Sequence, residues 1–300
     1  MKNGLFSIAL SLFLAGAAQG QQTPEARLNA MLDVRKSTVY IAAHRGDWRD
    51  APENSIQSLN WAAKIGADIV EFDLKRTRDG RLVVMHDQSL NRTTTGSGLV
   101  SDHTLKEIKG LKLRAGTGHP TAYTVPTFAE ELDAARVSGL ILDIDQGWDY
   151  FSDVLAQVKA AHMVGRVIIN VFPNTQYAEL QKRVGYIPDD ATLMIVANMA
   201  RPDADAIIQS YEAHKRTIVQ CIFADETLPT VQHIPRYKQE FSIWINSLWP
   251  DQNANHDDDR AIDPGSPDET WGWLVAHGAT LLQTDRPREL NEYLQEKHLR

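Results

Sequence analysis

From about residue 38 onward two patterns of apolar and polar positions alternate along the chain. Short runs rich in β-branched residues recur as VYIAA, DIVEFDL, RLVVMH, LILDID, RVIINV, TLMIVA, TIVQCIF, FSIWIN and ATLLQT. Between most of them lie stretches whose apolar residues return every three or four positions, Ile56 to Ile65 and Phe151 to His162 among them. The runs predict strands, the stretches predict helices, and their alternation is that of a parallel α/β sheet. Nine candidate strands over about 250 residues predict a (β/α)8 TIM barrel in which one run is peripheral. A doubly wound open sheet is the alternative, but no glycine-rich dinucleotide or P-loop signature follows any run.

Two stretches interrupt the alternation: a small insertion after the third run, residues 88–124, and the polar segment Ser247 to Pro267. The second has Asp251, Asn253, Asn255 and Asp257 at alternate positions, but His256 and Ile262 stand where a calcium loop needs glycine and glutamate. It reads as a polar surface loop on the face where strands end. Residues 21–37 form a polar lead-in, mobile or helical, to a barrel domain over 38–300. Before them Lys2, the apolar run Leu5 to Ala17 and the small residues Ala18 and Gly20 read as a signal peptide, residues 1–20, and predict export to the periplasm or beyond. That run is shorter than the roughly 20 residues that span a bilayer, so no stable membrane anchor is expected.

A formal net charge of -8 disfavours nucleic acid and anionic lipid as partners, so any phosphate bound must be gripped locally. Cys221 is the only cysteine and lies in an apolar run, which predicts a buried core thiol and no internal disulfide.

In a barrel, chemistry gathers at the carboxyl ends of the strands. The first run ends at His44-Arg45-Gly46, and the second carries Glu71 and Asp73 with one parity, facing inward if Val70 and Phe72 face the helices. The third ends at His86-Asp87 after a short turn; a two-residue hairpin at Asp79-Gly80 would set His86 opposite Asp73. The fourth adds Asp143 and Asp145 on one face. Carboxylates in that number suit one divalent cation, Mg2+ or Ca2+. An arginine with a hard cation grips a phosphate, and two imidazoles serve as general base and general acid. Phosphodiester cleavage is the chemistry that fits.

The stretches AHRG, APENSIQSLNWAAKIGAD and VEFDLKRTRDGRLVVMHDQSLNRTTTGSG, followed by VPTFAEEL, LDID, WIN and TDRP, resemble the signature of the glycerophosphodiester phosphodiesterase family. The resemblance implies a metal-dependent enzyme that hydrolyses a small-molecule glycerophosphodiester to glycerol 3-phosphate and an alcohol. It implies that His44 and His86 are the catalytic pair and that Arg45 contacts the phosphate. Glu71, Asp73 and Asp143 then hold the metal, with His86 close enough to join them, while Glu53 and Asn54 brace the Arg45 loop. Read on its own residue type, Asn54 is a natural helix N-cap.

The family pattern is broken on the fourth run, where Asp145 replaces a lysine that helps hold substrate or screen the carboxylates. As a substrate contact, Asp145 would repel an anionic group and favour a cationic or hydroxyl-rich one. Other readings fit the same residues: a phospholipase of phosphatidylinositol-cleaving or sphingomyelinase D type, or a catalytically idle barrel that binds phosphodiesters. Read singly, Asp87 is a turn residue, and Asp285 caps the last helix or touches the site. Trp244, Trp249, Trp271 and Trp273 serve barrel packing as readily as a substrate wall.

Overall fold

The computed structural model describes residues 22–300; the leader expected over residues 1–20 lies outside the described residues. The strands are β1 (Tyr40–Ala43), β2 (Ile69–Arg76), β3 (Leu82–Val84), β4 (Ile141–Asp145), β5 (Val167–Asn170), β6 (Thr192–Asn198), β7 (Thr217–Ile222), β8 (Ser242–Asn246) and β9 (Leu281–Thr284). They pair in the order β1-β9-β8-β7-β6-β5-β4-β2-β3, and β1 also pairs with β2. All pairs except β2–β3 are parallel, so eight strands close into a barrel. The peripheral run is RLVVMH, whose β3 folds back antiparallel on β2.

That hairpin differs by one residue from the sequence expectation. Thr77 N–H donates to Arg81 O and Gly80 N–H to Thr77 O, both at 2.9 Å, so the turn has three residues, Arg78 to Gly80, with Gly80 at φ +77°. Leu74 therefore faces Val84, and the Met85 amide, not His86, meets the Asp73 carbonyl, at 2.9 Å.

The period-2 pattern sorts β2 as predicted. Val70, Phe72 and Leu74 face outward into the main core between barrel and helices, where Phe72 meets Phe128 of a surrounding helix at 6.0 Å between ring centroids. Ile69 faces inward and joins Ile141, Ile168, Met194, Ile218 and Leu281 in an apolar layer at the amino-terminal end of the barrel. The lead-in supplies the plug beneath this layer. Helix α1 (Pro24–Met31) starts on a Thr23 cap with Pro24 in its first turn and presents Leu28 and Met31, three residues apart, to that layer. Burying Leu28 fully stabilises the closed end by about 2 kcal/mol.

Going up the barrel, the same inward parity turns polar at Glu71, Asp143, Asn170, Gln220, Asn246 and Gln283, all buried. The apolar plug thus supports a polar floor at the carboxyl end, where helix α2 (Ile56–Lys64) begins close to the end of β1. The 88–124 insertion contains α3 (Leu105–Lys109) and gathers its own small apolar core from Leu90, Val100, Ile108 and Leu113. It precedes α4 (Phe128–Ser138), which packs on α2. Among the described residues no helix is long and apolar enough to cross a membrane.

Candidate active site

The end of β1 is folded so that a basic side chain lies over an acidic one. Arg45 and Gly46 both adopt left-handed backbone, at φ +54° and +76°. At Gly46 a Cβ would lie 2.5 Å from Ser58 Oγ and 2.7 Å from the Ser58 carbonyl carbon, so only glycine lets α2 approach this closely. The Arg45 carbonyl accepts from Asn54 N–H and from Ser58 Oγ, each at 3.0 Å, and the Arg45 amide donates to Glu71 Oε2 at 3.0 Å. Asn54 is not the N-cap of α2. Ser55 is, in a capping box with Ser58, which leaves Asn54 Nδ2 to donate to Asp73 Oδ2 at 2.9 Å. Glu53 bonds Arg45 at 2.9 Å and Arg92 of the insertion at 2.6 Å; burial opposes its charge, but the two guanidiniums hold its carboxyl below the ordinary value.

In the sheet Glu71 is level with Asp143, and Asp73 is level with Asp145. One carboxylate oxygen each from Glu71, Asp73 and Asp145 lie within 4.8 Å of one another. Asp143, expected in this group, is outside it, and Asp145, expected to contact substrate, is inside it. The reason is side-chain length: a glutamate at the lower level reaches up to the next pair, whereas an aspartate there stays in the layer beneath. Asp143 is fully buried and neither of its oxygens has a hydrogen-bond partner. His86 lines the same cavity without joining the close oxygen cluster.

Burial, then the charges of Asp73, Asp145 and Asp143, push the Glu71 carboxyl well above its ordinary value. Asp143 is raised likewise by burial and by Asp145 and Asp73, and Asp145 by burial and Asp73. Four acidic groups so arranged favour either bound protons or a cation. Hard oxygens converging from two strands, with unpartnered buried oxygens just beneath, fit a single divalent ion of the Mg2+ or Ca2+ kind.

A cation that sequence reading missed sits on the same inward face of β2. Lys75 is buried; its Nζ donates to Gln146 Oε1 at 2.5 Å and to the carbonyls of Leu74 and Met85, and Gln146 Nε2 donates to Asp73 Oδ1 at 2.7 Å. The positive charge missing at position 145 is thus present on the neighbouring strand, and the parity Glu71-Asp73-Lys75 was its signal.

Both histidines are bonded through Nδ1 to a carboxylate. His44 Nδ1 lies 2.8 Å from Asp285 Oδ1, and His86 Nδ1 lies 2.8 Å from Asp87 Oδ1. Arg92 first, and His86 after it, hold the Asp87 carboxyl well below the usual range. Burial works against the Asp285 charge, but bonds from His44 and from Trp48 Nε1 at 2.6 Å outweigh it and keep that carboxyl low. Ionised partners fix Nδ1 as the protonated nitrogen and leave each Nε2 for chemistry. The two rings share a cavity of about 220 Å³ at the barrel mouth with Arg45, Glu71, Asp73 and Asp145.

The Ser247 to Pro267 segment is a packed cover rather than a polar surface loop. It forms two short helices, Pro250–Asn253 and Asp258–Ile262, and buries Asn253, His256, Asp257 and Asp258. Asp258 accepts from Ser247 Oγ at 2.6 Å, Trp271 Nε1 at 2.8 Å, Thr284 Oγ1 at 2.9 Å and Asp285 N–H at 2.7 Å, tying the cover to the strand end that carries Asp285. Of the tryptophans, Trp244 and Trp271 are wholly buried packing, whereas Trp249 is 44% exposed and sets its ring edge to His44, 5.5 Å between centroids.

A model described as the glycerophosphoryl diester phosphodiesterase family matches residues 44–241, and a second, described only as a domain of unknown function, matches 193–294. The chain is 33% identical over 156 residues to a glycerophosphodiester phosphodiesterase of Caldanaerobacter subterraneus, a match covering 49% of this chain and 63% of the relative. It is 39% identical over 137 residues to one of Bacillus subtilis, covering 42% of this chain and 46% of the relative. The matched stretch thus spans about half to two-thirds of these relatives' lengths. The fold is shared with the crystal structure of a Parabacteroides distasonis glycerophosphoryl diester phosphodiesterase, at TM-score 0.71 and 21% identity over 90% of this chain and 92% of that one. It is shared also with an Oleispira antarctica phosphodiesterase solved in complex with the product sn-glycerol-3-phosphate, at TM-score 0.62 and 20% identity over 86% and 97%.

Proposed function

Since the chain belongs to the glycerophosphoryl diester phosphodiesterase family, we propose that it is a metal-dependent hydrolase that cleaves glycerophosphodiesters to glycerol 3-phosphate and an alcohol. The observation that carries this reading is two carboxylate-bonded histidines sharing one cavity with an arginine and a three-carboxylate cluster. The product bound in the Oleispira antarctica enzyme supports the same substrate class.

Glu71, Asp73 and Asp145 would hold the cation, Mg2+ or Ca2+, with Asp143 completing the charge beneath them. When bound, the ion supplies Lewis-acid neutralisation of phosphoryl oxygens. Arg45 binds the phosphate: its Nε is buried without an acceptor, and Glu53 holds the rest of the guanidinium in place. One imidazole Nε2 accepts the proton of the attacking water, and the other donates a proton to the departing alkoxide oxygen, so the phosphorus–oxygen bond breaks without a free alkoxide. Asp285 and Asp87 orient the rings and offset the charge each carries as imidazolium. The leader-like residues 1–20 support the further reading that the enzyme is exported.

The test is release of glycerol 3-phosphate from glycerophosphocholine by purified protein. Turnover is expected in the wild type, with losses of about a hundredfold or more in both His44→Ala and His86→Ala. Turnover in the wild type that both variants retain would refute the assignment.

A further inference from the structure

His44, Arg45, Leu248 and Trp249 of the mouth cavity also line a second, wider one of about 530 Å³, within the size range of small-molecule sites. Its walls are the loop after β1, the insertion, the Ser247 to Pro267 cover and Asp285 just past the end of β9. Arg45, the proposed phosphate ligand, lines both, so a diester held there would have room for one arm on each side. The smaller, strand-walled cavity suits the constant glycerol arm. The wider, loop-walled one suits the alcohol that varies between substrates.

The charges around the wide cavity are unevenly partnered. Its carboxylates are engaged: Glu53 with Arg45 and Arg92, Asp258 by its hydrogen bonds, Asp285 by His44 and Trp48, and Asp259 by Arg286 at 3.5 Å. Two of its arginines are not. Arg49 donates Nε to the Asp285 carbonyl at 2.8 Å and stacks over Trp48 at 4.6 Å, and Arg114 donates to the carbonyls of Thr94 and Gly118, each at 2.8 Å. Neither has a carboxylate within 4.0 Å among the described residues, and the Nη groups of Arg49 and Nη2 of Arg114 have no protein acceptor there. Two guanidiniums with free donors, one from the β1 loop and one from the insertion, make a receptor for an anion.

Resting on the reading of the site given above, we propose that the wide cavity is an alcohol-arm subsite selective for glycerophosphodiesters whose alcohol carries a second phosphate, which Arg49 and Arg114 bind. Asp145 does not oppose this preference, because it lies in the oxygen cluster of the other cavity.

The experiment compares kcat/KM for glycerophosphoglycerol and for the same diester with a terminal phosphate on its alcohol arm. Wild type is expected to favour the phosphorylated substrate roughly tenfold or more, the scale of one or two charge-assisted hydrogen bonds, and Arg49→Gln and Arg114→Gln should each pull that ratio towards one. If Arg114→Gln loses its cooperative melting transition, Arg49→Gln decides alone. A wild-type ratio of one or less with both substrates turned over, or a ratio unchanged in the folded variants, overturns the subsite and leaves the hydrolase reading standing. Failure to hydrolyse either substrate overturns that reading and the subsite with it.

Discussion

His44 Nδ1 lies 2.8 Å from Asp285 Oδ1, a bond between the end of the first barrel strand and the end of the last. Closure of the barrel brings these residues together across 241 positions of sequence. The carboxylate selects the tautomer with Nε2 free, and its Oδ1 is taken by His44 and Trp48 rather than offered to substrate. Asp285→Asn is therefore expected to lower kcat by about a hundredfold with little change in KM, which steady-state kinetics on glycerophosphocholine will check.

His44 lines both cavities, whereas His86 lines only the barrel mouth. With the alcohol arm in the wider cavity, as proposed above, His44 would stand beside the leaving oxygen and act as the proton donor. An activated aryl leaving group, which needs no proton, should restore most of the turnover of His44→Ala and little of that of His86→Ala. Measuring both variants on a nitrophenyl phosphodiester of glycerol makes the comparison.

Gly46→Ala and Gly80→Ala separate backbone strain from close packing. Both glycines have positive φ, but a Cβ at Gly46 would strike Ser58 of α2, whereas one at Gly80 would meet nothing within 4 Å. The first change should cost roughly 2–4 kcal/mol and reduce turnover by displacing Arg45, and the second about 1 kcal/mol with turnover intact. Denaturant unfolding and kinetics on the same samples distinguish them.

Glu131 of α4 is fully buried, its Oε2 has no partner, and burial, with Glu130 adding to it, pushes its carboxyl up to about 8 from the ordinary 4.5. The unfolded chain therefore loses this proton first. The stability contributed by the neutral carboxyl is full below about 4.5, falls as pH rises by at most about 1.4 kcal/mol per unit, and is gone above about 8. Glu131→Gln should flatten this slope in urea unfolding measured between pH 5 and 8.

Much of the barrel and of its acidic site was legible because both rest on short-range parity. Alternation in VEFDL fixes Glu71 and Asp73 on one face whatever surrounds them, and strand ends locate His44 and His86. What the chain conceals depends on lengths and long-range closure. One residue in the Thr77 to Arg81 turn shifts His86 past Asp73, and one methylene decides that Glu71 reaches the oxygen cluster while Asp143 does not. Ser55 takes the helix cap and frees Asn54 for Asp73, a choice set by the bend at Arg45. Asp285 meets His44 only when the barrel closes, and Arg49 and Arg114 line one cavity only once the insertion folds against the β1 loop, so neither arrangement leaves a local pattern.

Hydrolysis is proposed to need a divalent ion held by Glu71, Asp73 and Asp145. The most direct measurement is glycerophosphocholine turnover by one preparation before chelation, after exhaustive removal of metal, and after return of Mg2+ or Ca2+, alongside Asp145→Asn. Expected are loss of turnover on chelation, recovery with one of the two ions, and a need for about tenfold or more metal for half-maximal rate in Asp145→Asn. Full activity in the metal-free sample would contradict it.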